Sequence, residues 1–419
     1  MAAKKYAEPK DSNGTLIQFT LSGLVIFSVS LVAVSAWLTY ALTTRGFTRG
    51  SAATPTATTA DTPGVVGPWG ELKTSNIQLE RPKEYVAYEV MTNAPPAWVF
   101  GGMTPERARE LMLHSGLTAA QAQAALAPEK ISVTASNTTV YPDDTLLLAL
   151  TPEVRGKFYH ELAAFSQNRY IAYPFCFPQN SFETIVADGR LSPPVMKLVK
   201  SLLYQRGGQP CFSDFELVMR RIASQDERVS LMQALSRQSA VLVRLKISPA
   251  TDIEKMVNYW GAASGVLTKD IRPLMDSLKR LPEGGTMSLL YFLPPFARER
   301  LYNFPLPPQP GEPRMDCHWT TMNFFNDAPD TRFSDEKYTV QYIKNNYHQV
   351  AKATAYGDRV FLLDEKNNAI HSAVYIADDI VFTKNGDNYM QPWMLMHLKD
   401  LLATYPPGVR VMAFRNRSS

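Results

Sequence analysis

Apolar residues form one uninterrupted stretch near the start of the chain. No charged residue occurs between Asp11 and Arg45, and residues 16–42 read LIQFTLSGLVIFSVSLVAVSAWLTYAL. As a helix, this stretch can cross a hydrocarbon core of about 30 Å. A cleaved signal peptide is the alternative, but its apolar region normally has only about 7–15 residues. The pattern therefore predicts a transmembrane helix at residues 16–43, preceded by a cytoplasmic tail at residues 1–15.

A different pattern runs from about residue 69 to residue 302. Apolar residues recur there at a spacing of three and four, as in MTPERARELML, TPEVRGKFYHELAAF, SPPVMKLVKSLLY, FSDFELVMRRIA and TDIEKMVNYWG. This spacing predicts helices, and Thr or Ser followed by Pro or an acid is typical of a helix start. Only EYVAYEV and KISVTA are β-like. We expect a mainly helical domain of unknown role at residues 69–302.

The last part of the chain changes its period. GDRVFLLDE, IHSAVYIA, IVFTKNG and VRVMAF are short apolar or alternating runs separated by turn residues, which predicts an antiparallel meander. Two helices are expected around it. One begins with Ser334 as its N-cap, and the other begins at Pro392 and packs across the sheet.

Two segments have the composition of connectors. Residues 44–68 are rich in Ala, Thr, Pro and Gly, which is typical of a flexible linker. Residues 303–313, NFPLPPQPGEP, hold five prolines in eleven residues and cannot be helical. A separate C-terminal domain is therefore expected at residues 314–419.

Composition and charge exclude several classes of protein. Forty-three Lys and Arg against thirty-nine Asp and Glu leave a net charge of +4, too small to indicate a nucleic-acid partner. Three cysteines are too few for a disulfide scaffold or a Cys-rich zinc module. The motifs GxxxxGK[ST], HExxH and GxGxxG are missing from the sequence. We predict no cofactor and no metal ion.

The charges beside the apolar stretch predict its orientation. Lys4, Lys5 and Lys10 precede it and outnumber Arg45 and Arg49, which follow it. Because positive charge is retained on the cytoplasmic side, we expect a single-pass membrane protein, bound to lipid by its N-terminal helix, with its body outside the cytoplasm, in the periplasm. There Cys176 and Cys211 could form a disulfide, and the alternative is two buried free thiols.

The candidate chemistry lies in the C-terminal region. Asp316 and Cys317 open a short amphipathic helix, DCHWTTMNFFN. The N-terminal end of a helix favours a thiolate, and its N–H groups can receive an oxyanion. His371 opens a later strand, and an imidazole beside the thiol is needed to take its proton.

These residues resemble the NlpC-type cell-wall peptidases, a branch of the papain-like cysteine peptidases. The resemblance covers about residues 314–417 and rests on Cys317 at a helix start, the strand entry GDRV, and HSAVYIADDIVF with His371. It implies that Cys317 is the nucleophile and His371 the general base, acting on peptide stems of the bacterial cell wall. Where the family usually has small residues after its Cys, this chain has His318 and Trp319.

The third catalytic residue depends on the register of one hairpin. If the turn centres on Asp378, Asn385 lies opposite His371, and if it centres one residue earlier, Thr383 does. We assign Asn385, which can steer an imidazole, although Asn385–Gly386 is also an ordinary turn dipeptide. Lys384 is expected to be a solvated strand end.

The sequence thus predicts an α+β protein with an N-terminal transmembrane helix, a mainly helical middle domain, and a C-terminal papain-like domain whose Cys helix packs on an antiparallel sheet. The expected function is a membrane-anchored thiol hydrolase or amidase that acts through a Cys317 thioester. One alternative is a transglutaminase-like acyl transferase, in which Asp387 follows the Cys and the His. The other is a catalytically inactive, membrane-tethered interaction protein.

Overall fold

The computed structural model describes residues 56–57, 62–90, 94–177, 182, 189–261, 267–306, 312, 315–405 and 408–418. Among these residues no helix is both long and apolar enough to pass through a bilayer. The tail expected at residues 1–15 and the transmembrane helix expected at residues 16–43 lie outside the described part. The expected fold class is wrong: no described helix could span a membrane, and the middle region mixes helix with sheet.

Residues 52–419 form one compact unit, and its described part alternates helices and strands throughout. The helices are α1 Lys83–Val90, α2 Pro105–His114, α3 Ala119–Ala125, α4 Asp144–Ala149, α5 Pro152–Leu162, α6 Arg169–Ala172, α7 Pro193–Ser201, α8 Phe215–Arg221, α9 Gln225–Leu235, α10 Ile253–Gly261, α11 Leu267–Lys279, α12 Pro295–Arg300, α13 Cys317–Asn323, α14 Glu336–Asn346 and α15 Leu398–Ala403. The strands are β1 Thr56–Ala57, β2 Thr62–Gly67, β3 Gly70–Leu79, β4 Trp98–Gly101, β5 Ile131–Val133, β6 Asn137–Val140, β7 Phe175–Cys176, β8 Tyr204–Arg206, β9 Gln209–Phe212, β10 Gln238–Ile247, β11 Gly285–Ser288, β12 Tyr347–Val350, β13 Arg359–Leu363, β14 Ala369–Ala377, β15 Ile380–Lys384, β16 Trp393–His397 and β17 Arg410–Asn416.

Two large antiparallel sheets organise this unit. The C-terminal sheet has the strand order β12-β17-β13-β14-β15-β16, with α13 packed against β14. The other sheet follows β1-β3-β10-β11, with β2 paired to β3. Strand β2 lies within the segment expected to be a linker.

The region between β3 and β10 is a lobe with its own core. Strands β3 and β10 pair directly, with Leu79 opposite Gln238, although the lobe of residues 80–237 separates them in sequence. Its hydrophobic core consists of buried side chains between Val86 and Leu235. Among the described residues outside this range, Met390 is the one fully buried member of the core. Two small sheets, β4-β6-β5 and β7-β9-β8, lie within the lobe.

The remaining described residues form further hydrophobic clusters, and the largest of them contains residues of both large sheets. Leu72 and Trp260, from the first sheet and its helices, belong to the same buried cluster as Trp319 of α13 and Phe382 of β15. The hydrophobic cores therefore group residues 62–79 with residues 238–418, whereas the sequence pattern suggested a boundary at the proline-rich connector.

Several local predictions differ from the structure. EYVAYEV was expected to be β-like but lies in helix α1, which packs against α9. QSAVLVRLKI, in a region expected to be mainly helical, is the ten-residue strand β10. The helix expected from Pro392 is the strand β16 followed by the short helix α15, because its apolar residues complete the sheet beside β15.

Helix starts are predicted more accurately, because a cap is a local feature. Thr104 and Thr151 cap α2 and α5, and each is followed by a proline at the first helical position. Asp143 caps α4 by accepting from the N–H of Leu146 at 2.8 Å. Helix α14 is an exception in detail, because its N-cap is Asp335 and not Ser334.

Candidate active site

Helix α13 places Cys317 at its first position. Asp316 is the N-cap, and its Oδ1 accepts from the N–H of Trp319 at 2.7 Å. That N–H is therefore not open to an oxyanion. Trp319 is buried against Phe296, which explains why a large residue follows the cysteine so closely. Cys317 is a free thiol and is 4% exposed.

Ser372 of β14 attaches the start of α13 to the sheet. Its Oγ donates to the carbonyl oxygen of Cys317 at 3.3 Å and lies 2.9 Å from Nδ1 of His318. His318 is held further by the carbonyl oxygen of Ala369, 3.2 Å from its Nε2. The side of the sheet on which Ser372 lies is thus the side covered by α13, and we call it the helix face.

His371 projects from the opposite side of the sheet. Successive side chains of a strand alternate between the two faces, and the ring of His371 packs at a tilt against Tyr405, with the ring centroids 5.1 Å apart. Tyr405 packs in a cluster with Ala373 and Val381. We call this side the cavity face, because Tyr405 and Asn385 line a cavity there.

Thr383 and Asn385 orient the imidazole of His371. Nε2 lies 2.8 Å from Thr383 Oγ1, and that hydroxyl donates to Asn385 Oδ1 at 3.5 Å. A Thr383 hydroxyl that gives its one proton to Asn385 accepts from Nε2–H, and in that tautomer of His371 the lone pair is on Nδ1. Nδ1 is buried and has no hydrogen-bond partner among the described residues.

The register of the β14–β15 hairpin accounts for both candidate partners. The turn is Asp378–Asp379, with Asp378 in the left-handed region at φ 57°, and Val374 lies opposite Phe382. Continued to the end of the strands, this register places Asn385 opposite His371. The imidazole nevertheless bonds to Thr383, its diagonal neighbour on the same face, and reaches Asn385 only through that hydroxyl.

The structure brings Cys317 and His371 to the same end of the sheet but does not join them by a hydrogen bond, since Nδ1 has no described partner. Tyr405 connects their surroundings. Burial raises the pKa of the Tyr405 hydroxyl well above its usual range, and the charge of Cys317 raises it further. Tyr405 therefore lies within electrostatic range of Cys317 and packs against the ring of His371.

Lys384 is the residue that the sequence interpretation missed. It was expected to be solvated, but it is 0% exposed. Its Nζ donates to the carbonyl oxygens of Gly386 and Asn388, at 2.8 and 3.0 Å. A lysine among apolar strand residues is normally read as an exposed end, so no sequence signal distinguished it.

A cavity of about 660 Å³ borders the cavity face. Asn385 and Tyr405 line it on one side, and Cys176 and Gln209 line it from the lobe of residues 80–237. Cys176 and Cys211 lie opposite each other on β7 and β9 and form a disulfide, which decides between the two alternatives left open by the sequence. Asp387, the candidate of the acyl-transferase alternative, lies in the loop after β15, within electrostatic range of Lys384.

Comparison of the chain with models of protein families, with curated proteins and with solved structures finds no match.

Proposed function

We propose that the protein is a thiol hydrolase or amidase of the NlpC type, with Cys317 as nucleophile and His371 as general base. The observation that carries this proposal is the imidazole of His371. Its Nε2 is fixed through Thr383 and Asn385, while its Nδ1 is buried and unpartnered. An imidazole held in this way is suited to accept the proton of a thiol that is brought to its Nδ1.

The proposed reaction passes through a thioester. Nδ1 of His371 takes the proton of the Cys317 thiol, and the sulfur attacks the amide carbonyl. The carbon–nitrogen bond breaks, and the departing amine receives the proton from His371. Water then attacks the thioester, His371 takes the proton of that water, and the acid is released with the thiol restored. The step needs Cys317 and His371 in contact, so it requires one of the two side chains to move towards the other.

The proposed substrates are cell-wall peptides, and the proposed compartment is extracytoplasmic. The disulfide Cys176–Cys211 supports an oxidising compartment. The cavity on the cavity face supports a route for a peptide, because Asn385 and Tyr405 line it and stand next to His371.

Hydrolysis of purified cell-wall peptides tests this proposal. Cys317→Ala should abolish cleavage, and His371→Ala should lower kcat by about 10²- to 10⁴-fold, the range expected for loss of a general base. His348→Ala, at an exposed position on β12, is the matched control and should retain full activity. Cleavage that persists in Cys317→Ala would contradict the proposal.

A second candidate is an inactive interaction protein. The specific observation in its favour is that Cys317 is almost fully buried and shares no hydrogen bond with His371 among the described residues. In that case the folded protein resists alkylation at Cys317 between pH 5 and pH 9, and no peptide is cleaved.

A further inference from the structure

Lys384 lies beneath the first turn of the helix that carries Cys317. Val374 of β14 lies opposite Phe382 of β15. When this register is extended by two residues, Lys384 lies opposite Ser372. Ser372 is the residue that donates to the Cys317 carbonyl at 3.3 Å. Lys384 and Ser372 are thus neighbours on the helix face, on the opposite side of the sheet from His371.

The next strand fixes the same position independently. Lys384 pairs with Trp393 of β16, and the indole N–H of Trp393 donates to Thr320 Oγ1 at 3.0 Å. Thr320 is one helical turn after Asp316, to whose carbonyl its N–H donates. Neighbours of Lys384 on both sides therefore bond to the first turn of α13.

The ammonium group is not matched by a carboxylate contact. Its two hydrogen bonds go to backbone carbonyls, so one of its three N–H donors is left over. No ion pair of Lys384 is found among the described residues. Burying a charge without a counter-charge costs several kcal/mol, so the site favours a negative charge nearby.

The titratable groups that face Lys384 are few. Cys317 and Asp316 face it from α13 and Asp387 from the loop after β15, and the charge of Cys317 acts on it most strongly. Burial lowers the pKa of Lys384 to about 8, which leaves the side chain mostly protonated at neutral pH. Across the sheet stand His371 and Tyr405.

We propose that the ammonium of Lys384 stabilises the thiolate of Cys317 from the helix face, while His371 handles the proton from the other side. This inference rests on the proposed function, in which Cys317 is the nucleophile. Lys384 stays protonated and neither gives nor takes the proton of the thiol. In this arrangement the negative sulfur adds to the more weakly acting charges of Asp387 and Asp316, neither of which contacts the ammonium directly.

The pH dependence of Cys317 alkylation by iodoacetamide tests the proposal on the full chain. In Lys384→Met, the pH of half-maximal rate should rise by at least one unit, so that the rate at pH 7 falls about tenfold. Lys366→Met, at an exposed turn position, is the matched control and should leave the profile unchanged. A purely structural Lys384, which only holds Gly386 and Asn388, would lower the rate equally at every pH, and that result would overturn the proposal.

A reciprocal measurement covers the case in which Lys384→Met does not fold. In Cys317→Ala, the NMR titration of the Lys384 Cε resonance should move to lower pH than in the wild type, because the attraction of the thiolate is lost. An unchanged titration overturns the inference. His371→Ala separates the two hypotheses: if it changes the alkylation profile and Lys384→Met does not, the proposed function stands and the role of Lys384 is refuted. If the wild-type profile resembles that of a free thiol, the proposed function itself is contradicted.

Discussion

At the scale of residues, Thr383 supplies the hydroxyl that contacts Nε2 of His371. Replacing Thr383 with valine keeps the shape but removes the hydroxyl, which leaves Nε2 of a fully buried imidazole without its partner. We expect the free energy of unfolding to fall by about 1–3 kcal/mol. We also expect slower alkylation of Cys317, because the ring can turn. Urea unfolding and iodoacetamide kinetics measure the two effects.

Thr339→Val is the control for this prediction. Thr339 of helix α14 is also buried, and its hydroxyl donates to the carbonyl oxygen of Phe333 at 3.1 Å. Its loss should lower stability to a similar extent without changing the reactivity of Cys317. Equal alkylation in Thr383→Val and the wild type would mean that the Thr383 hydroxyl does not position the imidazole.

The candidate site could be predicted from sequence only where the signal is local. Cys317 after the N-cap Asp316 is readable, since both belong to one helix start. Lys384 is not, because its burial results from α13 and the loop after β15 closing over it, and both contacts depend on tertiary packing. The hairpin register was an open choice for the same reason. It is set by the turn at Asp378–Asp379 together with a register shift between Tyr375 and Ala377, and the imidazole of His371 then bonds to a diagonal partner.

At the scale of elements, one titratable contact joins the turn between β14 and β15 to the start of helix α15. Nδ1 of His397, the N-cap residue of α15, lies 2.7 Å from Asp379 Oδ1. The hydrogen bond to Asp379 raises the pKa of His397, and the same bond lowers the pKa of Asp379. The contact is therefore strongest where the histidine is protonated and the aspartate is ionised.

Stability should consequently depend on pH around neutrality. The His397 contribution is complete below its unfolded pKa of about 6.5 and is lost as the pH rises through its higher folded value. The Asp379 contribution is lost only as the pH falls through its lowered folded value. Between pH 6 and pH 8.5, the wild type should lose about 0.5–1 kcal/mol more than His397→Gln. Urea unfolding at both pH values measures this, with His348→Gln as control, and a parallel pH dependence in wild type and His397→Gln would contradict it.

Helices that begin at a capping residue were predicted correctly from the sequence. Elements whose conformation depends on residues far away in the sequence were not. The capped helices α2 and α5 follow directly from Thr-Pro. Strand β10 follows a pattern that also suits a buried helix, and it becomes a strand because β3, more than 150 residues earlier, pairs along it. Helix α1 contains residues with strand preferences, but its packing against α9 overrides them.

At the scale of the whole molecule, the disulfide Cys176–Cys211 stabilises the lobe that forms one wall of the cavity. It bridges a sequence separation of 35 residues, and closing such a loop stabilises a fold by about 2–4 kcal/mol. Reduction with dithiothreitol should lower the free energy of unfolding by that amount, and Cys176→Ser with Cys211→Ser should lose the response. Cys317→Ser should keep it, because that thiol is free. An unfolding midpoint that does not change on reduction would contradict the prediction.

The lobe of residues 80–237 enters and leaves the sheet at adjacent points. Leu79 and Gln238 are cross-strand partners, and the flanking residues Glu80 and Arg237 form an ion pair at the neck. A chain with this geometry can accept, lose or exchange the whole insert without opening the β3–β10 ladder, since a short turn would span the same gap. Exchanging the lobe in an engineered chain would therefore rebuild one wall of the cavity while leaving Cys317 on α13 and His371 on β14.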